Sequence, residues 1–329
     1  MKFSERTLIE EILAPLANPA DGSLGLTDDA AFIACAPGRD LVVTQDTLIG
    51  SVHFRDQDPA AEIARKSLRV NLSDLAAKGA EPVAYLLSLA LPDGVERAWA
   101  EDFAAGLRSD QDEFGIALYG GDTVRSPGHV MVTVTACGTV PRGKMVRRAG
   151  ARAGELIYVS GTIGDGAFGL AALNGGTPAI DALDARARDE LAGRFLIPRP
   201  RLELAPALRA HASAAMDISD GLAGDLALLA AASRVTVEVD LCRVPLSPPA
   251  AAAIAAEPDL LIRAVTGGDD YEIVCTVPEA RASAFEAAAG AAGIAVSRIG
   301  VVTGGEGPPV FRDSAGRPVR FEQASFSHF

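Results

Sequence analysis

LYGGDT (residues 118–123) and TGGDDYE (266–272) decide how this chain is read, because each sets a Gly-Gly-Asp after an apolar run. Gly-Gly is a turn signal at a strand end, and an aspartate after it would project from a sheet edge. One such turn is a loop. Two of them, with other aspartates similarly placed, raise the question of what so many carboxylates do together.

The 329 residues suffice for two domains. Apolar residues make up 49% and aromatic residues 5%, the composition of a soluble globular protein rich in Ala and Gly. A formal net charge of −13 argues against nucleic acid as a partner, since phosphate backbones recruit Lys and Arg, and suits a protein that holds cations. Cys35, Cys137, Cys242 and Cys275 lie far apart without a CxxC pair, so they read as free buried thiols of a reducing compartment. MKFSERTLIEEILAPL (1–16) reads as an amphipathic helix broken by charges, and no apolar run reaches the roughly 20 residues needed to cross a bilayer. The expected location is the cytoplasm, with no membrane partner.

The first half alternates strand and helix. AAFIAC (30–35) and LVVTQDTL (41–48) read as strands, and the segment from Asp58 to Ala80 as a helix opened by Asp-Pro. A strand at 83–92, a helix at 95–115 and strands at 116–122 and 129–140 follow. The basic segment 141–155 reads as a connection, and a second unit begins at LIYVSG (156–161). Strand and helix alternate again, giving an α/β (α+β mixed) class with two α/β domains, 1–147 and 148–329. NLSDLAAKGA (71–80) and DISDGLAGDLA (217–227) share a polar-x-Ser-Asp pattern, an echo implying that both halves supply the site.

The acidic candidates are Asp28, Asp29, Asp46, Asp74 and Asp122 in the first half, and Asp217, Asp220, Asp269 and Asp270 in the second. Any one alone is most simply a turn residue or a helix cap. Carboxylates gathered in a low-dielectric cleft repel one another unless a cation compensates them. Oxygen ligands without matching His or Cys spacing point to Mg²⁺, which is commonly completed by substrate phosphates. Nucleotide phosphate chemistry is therefore the leading reading of the residues. Gly164-x-Gly166-x-x-Gly169 formally matches a dinucleotide fingerprint, but no second strand with an acidic end follows, and GxxxxGK[ST] is absent. Of the histidines, only His53 lies near candidate residues; His129, His211 and His328 read as structural.

GLTDDAAF (25–32), TQDTLIGSVHF (44–54), ARKSLRVNLSDLAAKGAEP (64–82), YGGDTVR (119–125), RRAGARAGELIYVSGTIGD (147–165), MDISDGLAGDL (216–226) and TGGDDYE (266–272) occur in this order over nearly the whole chain. Together they resemble the thiamine-monophosphate kinases, a family of the aminoimidazole ribonucleotide synthetase superfamily. The resemblance implies ATP- and Mg²⁺-dependent phosphorylation of thiamine monophosphate, and a homodimer whose N-terminal sheet joins its mate. It implies Mg²⁺ ligands at Asp29, Thr44, Asp46, Asp74, Asp122, Asp217 and Asp220, and ATP contacts at Gly121, Arg148 and Ser219. It implies substrate contacts at His53, Asp269 and Phe326, with no covalent nucleophile or general base. Gln45 stands where that family commonly has a hydroxyl residue. The remaining readings are another ATP-using enzyme of the superfamily, a non-catalytic Mg-nucleotide sensor, and a dehydrogenase.

Overall fold

A computed structural model describes residues 4–18 and 22–325. The chain divides into two compact units, one made of the residues up to Leu75 with Ala80–Gly143, the other of Ala76–Gly79 with the residues from Lys144 onward.

Unit 1 opens with a short helical segment, α1 (Glu5–Thr7), which widens into a π-helical stretch over Leu8–Leu13 and tightens into a 3₁₀ turn over Ala14–Leu16. The amphipathic helix expected there is present in function, burying Leu8, Ile12, Leu13 and Leu16, but not in regular geometry. Pro15 has no N–H to give, and its ring crowds the carbonyl four residues back, so the turns around it cannot all be α-helical. The strand expected at 30–35 is also absent. No strand pairs with it, and Phe32 is 58% exposed.

Unit 1 goes on with β1 (Arg39–Ile49), α2 (Ala60–Ala77, whose last two residues count with the other unit), β2 (Glu81–Leu91), α3 (Arg97–Phe114), β3 (Ala117–Arg125) and β4 (Met131–Pro141). The sheet order is β1-β4-β2-β3, antiparallel except for β2 and β3, which run parallel around the α3 crossover. Helix α3 stops at Gly115, whose left-handed φ of 65° a side chain would resist. Along β1, Val42, Thr44, Asp46 and Leu48 are less exposed than Leu41, Val43, Gln45 and Thr47, the period-two signature of a sheet covered on one face.

Unit 2 continues with β5 (Leu156–Ser160), α4 (Asp165–Asn174), α5 (Pro178–Asp181), α6 (Ala185–Leu196), α7 (Ala205–His211), β6 (Ala214–Ile218) and α8 (Leu222–Ser233). It ends with β7 (Thr236–Asp240), α9 (Pro248–Ala256), α10 (Leu260–Thr266), β8 (Glu272–Val277), α11 (Ala282–Ala291), β9 (Val296–Thr303), β10 (Val310–Arg312) and β11 (Pro318–Val319). Its sheet order is β11-β10-β7-β9-β5-β8-β6. Strands β5, β6 and β8 are buried along their whole length, and their mostly apolar sequences are what two covered faces require. One core cluster packs α8 against β6, β7 and β9, and another packs α7 and α11 against β5 and β8.

The cysteines differ from expectation. Cys137 and Cys275 are buried, but Cys35 and Cys242 are exposed, one in the irregular segment after residue 30 and one in the turn after β7.

Candidate active site

In unit 1 the first Gly-Gly-Asp is not a turn. It lies inside β3, where Leu86 pairs with Gly120, Leu87 with Gly121 and Ser88 with Asp122. The register slips between Tyr85 and Leu86, so Tyr119 is an extra residue on β3, a bulge immediately before the glycines. A Cβ on Gly121 would fall 1.8 Å from the Leu87 carbonyl oxygen, so only glycine allows the two strands to approach here.

Unit 1 holds its candidate residues in two groups. Asp28, Asp29, Gly121 and Asp122 line a cleft of about 750 Å³, together with Gln45. Thr44 and Asp46 lie on the opposite, helix-covered side of the sheet, where the Thr44 hydroxyl donates to Oδ2 of Asp74 in α2. Gln45 faces away from Thr44 and donates to Thr135 Oγ1 at 2.6 Å. His53 is half-buried in the turn after β1, and its Nδ1 accepts the Ile49 N–H at 3.0 Å. That bond leaves Nε2 as the protonated nitrogen of the neutral ring.

In unit 2, Asp217 ends up buried within β6, and Ser219 and Asp220 follow in the turn leading into α8. The second Gly-Gly-Asp is a true turn, between α10 and β8. Its Asp269 N–H donates to Ser219 O at 2.8 Å, and its Tyr271 N–H donates to Ile218 O at 2.8 Å. Gly268, Asp269 and Tyr271 all have left-handed backbones, with φ of 74°, 61° and 50°. For the two residues with side chains this costs about 1 kcal/mol or more each, strain that the surrounding contacts must hold.

Asp225 in α8 accepts the N–H groups of Ser219 and Asp220, both at 3.1 Å. Burial, reinforced by the like charge of Asp220, pushes its carboxyl up to about 7 against the pull of those N–H donors and of Arg148. Asp225 was not among the residues singled out in the sequence. A carboxylate six residues after Ser219 within an otherwise apolar helix is the signal that marks it. The echo between 71–80 and 217–227 does not extend to structure, since Asp74 is inside a helix and Asp220 is in a turn.

The glycine fingerprint of 164–169 is also explained. The Gly164 N–H donates to both oxygens of Asp270 at 2.9 Å, and the Gly166 N–H donates to Oδ1 at 3.2 Å. The start of α4 is thus an anion cradle filled by the chain's own carboxylate, which leaves no place for a dinucleotide phosphate. Beneath it, Glu272 accepts from Ser160 (2.5 Å), Arg194 (2.7 Å) and Arg201 (2.7 Å), and Asp165 accepts from Thr162 and Ser247 at 2.5 Å each.

The Thr44–Asp74 pair and the Asp28, Asp29 and Asp122 carboxylates of the cleft offer oxygen donors, which suit a hard cation such as Mg²⁺. Among the described residues no three His, Cys, Asp or Glu side chains gather into a ready-made cage. Phe326 and His328 lie outside the described residues.

Two α/β units with these turns define a fold class that comparison identifies directly. Residues 27–140 match the family profile "AIR synthase related protein, N-terminal domain", and residues 152–312 match "AIR synthase related protein, C-terminal domain". The thiamine-monophosphate kinase of Caulobacter vibrioides is 46% identical over 302 residues, covering 91% of this chain and 84% of the relative. The crystal structure of thiamine-monophosphate kinase from Stenotrophomonas maltophilia K279a superposes with a TM-score of 0.83 at 38% identity, over 96% of this chain and 98% of that one. A solved structure described as "AaThiL complexed with AMPPCP and TMP" gives a TM-score of 0.77 at 29% identity, over 100% of this chain and 98% of that one. The chain belongs to the AIR synthase related family and, within it, to the thiamine-monophosphate kinases.

Proposed function

We propose that this chain transfers the γ-phosphoryl group of ATP to thiamine monophosphate, giving thiamine diphosphate and ADP. The observation that carries the reading is the 46% identity to a thiamine-monophosphate kinase over 91% of the chain. A related structure described with AMPPCP and TMP supports the pair of substrates.

The acceptor is a phosphate oxygen, already nucleophilic near neutral pH, so transfer is direct and in line and needs no strong general base or phospho-enzyme. Asp29, Thr44, Asp46, Asp74, Asp122, Asp217 and Asp220 would hold several Mg²⁺ ions. When bound, those cations screen the repulsion between the two phosphate groups. Gly121, whose missing side chain makes room for the Leu87 carbonyl, lines the unit 1 cleft and would present its backbone to the nucleotide. Ser219 and Arg148 would contact the nucleotide, and His53, Asp269 and Phe326 the thiamine ester.

The enzyme works as a homodimer through the uncovered face of the unit 1 sheet. Val43 is 55% exposed and Leu86 41% exposed on that face, and Leu41 beside them is also exposed, a patch that a second copy would cover. No helix among the described residues is long and apolar enough to cross a membrane, in keeping with action in the cytoplasm.

A coupled assay of ADP release tests the reading. ADP formation that requires thiamine monophosphate and stops on chelation supports it. ADP formation indifferent to thiamine monophosphate overturns the acceptor assignment.

A further inference from the structure

The carboxylates of unit 2 are not all suited to touching a ligand. Asp270 is 2% exposed, yet it directly follows Asp269, which is half-buried. Its two oxygens collect three N–H contacts from Gly164 and Gly166, 104 to 106 residues away in sequence. The same two turns also meet backbone to backbone. A Cβ on Gly166 would stand 2.2 Å from the Asp269 carbonyl oxygen, and one on Gly268 would stand 2.5 Å from Ser219 O. Asp269 is thereby fixed from two directions, by the Ser219 carbonyl on its N–H and by the α4 turn against its carbonyl.

We propose that Asp270 is a positioning residue for acceptor binding: by clamping the Gly164–Gly166 turn it holds Asp269 in its left-handed conformation at the acceptor. The inference rests on the thiamine monophosphate reading above. Asp270 itself touches no substrate. Its work is to satisfy the two buried N–H groups and to keep the turn from relaxing to a right-handed backbone, which would re-aim the Asp269 side chain. A second layer locks the clamp, since Asp165, between the two glycines, is tied by Thr162 and Ser247 and lies 3.8 Å from Arg194.

Asp270→Asn tests this, because an amide offers one acceptor oxygen and sets its own N–H₂ against the glycine donors. Gly166→Ala tests the same clamp from the other side. In each variant the KM for thiamine monophosphate is expected to rise about tenfold or more, with the KM for ATP within about twofold of the unsubstituted enzyme. A merely structural role would lower the active fraction and hence kcat, leaving the acceptor KM in place. Acceptor KM values within about twofold in both variants would overturn the proposal.

Amide exchange on the unsubstituted enzyme covers the case in which the variants do not fold. Slow exchange at Gly164 and Gly166 is expected, and exchange as fast as in an exposed turn would overturn the clamp. If the unsubstituted enzyme does not turn over thiamine monophosphate, the reaction assignment fails instead. The exchange rates then still decide whether Asp270 holds the turn.

Discussion

Thr44 and Gln45, consecutive on β1, serve opposite sides of one sheet: Thr44 donates to Asp74 in α2, and Gln45 donates to Thr135 at 2.6 Å on the uncovered face. Strand alternation makes this unavoidable. It puts Thr44 beside Asp74, while Gln45 lies on the side of the cleft lined by Asp28, Asp29 and Asp122. Asp46→Asn, Asp74→Asn and Asp122→Asn are each expected to lower kcat on the order of 10²-fold or more, because each removes a charge proposed to hold Mg²⁺. Gln45→Ser should stay within about threefold of the parent. Steady-state kinetics, with circular dichroism as a check of fold, measure both. Near-normal turnover in all three aspartate variants would remove the metal assignment.

Glu62 in the first turn of α2 is a pH-sensitive weak point. Burial and the neighbouring Asp58 charge hold its carboxyl above the usual range, and its Oε2 is buried without a hydrogen-bond partner. A raised folded-state value favours the neutral form, so its contribution is fully present below the unfolded value of about 4.3 and is lost as pH rises through the folded value. Glu62→Gln should therefore raise the melting temperature at neutral pH, and the gain should vanish in acid. A gain that persists unchanged below about pH 4 would contradict this.

Glu272 is buried entirely and neutralises two arginines, Arg194 and Arg201. Glu272→Gln removes the carboxylate that both guanidinium groups share, leaving Arg194 only Asp165 at 3.8 Å, and should cost about 3–5 kcal/mol in urea denaturation. A loss below about 1 kcal/mol would mean that the pair is not sealed from water.

The uncovered sheet face predicts its own test. Val43→Asp combined with Leu86→Asp puts charges on the proposed dimer face without touching the covered core. Sedimentation should report a dimer for the parent and a monomer for the double variant. A monomeric parent would contradict the dimer.

The strands and helices that carry the site are legible locally. The alternation of LVVTQDTL marks a half-covered strand, and Gly115 marks the end of α3. What escapes is non-local. The first Gly-Gly-Asp reads as a turn because the parallel pairing with β2 that keeps it extended lies more than thirty residues away. The segment 30–35 has strand composition but no strand to pair with. The clamp of Asp270 on Gly164 joins residues 106 positions apart, and nothing in GGDDYE itself distinguishes its enclosed aspartate from its half-buried one. The pairing of Thr44 with Asp74 is intermediate, since each residue carries a family resemblance but only the fold brings them into contact.

The central claim is a phosphoryl transfer to a phosphate acceptor, and a ³¹P NMR time course with the purified protein, ATP, Mg²⁺ and thiamine monophosphate tests it most directly. The account predicts that thiamine diphosphate and ADP resonances grow together and that chelation abolishes both. ATP consumption without a new diphosphate ester, or no change in any resonance despite bound nucleotide, would contradict it.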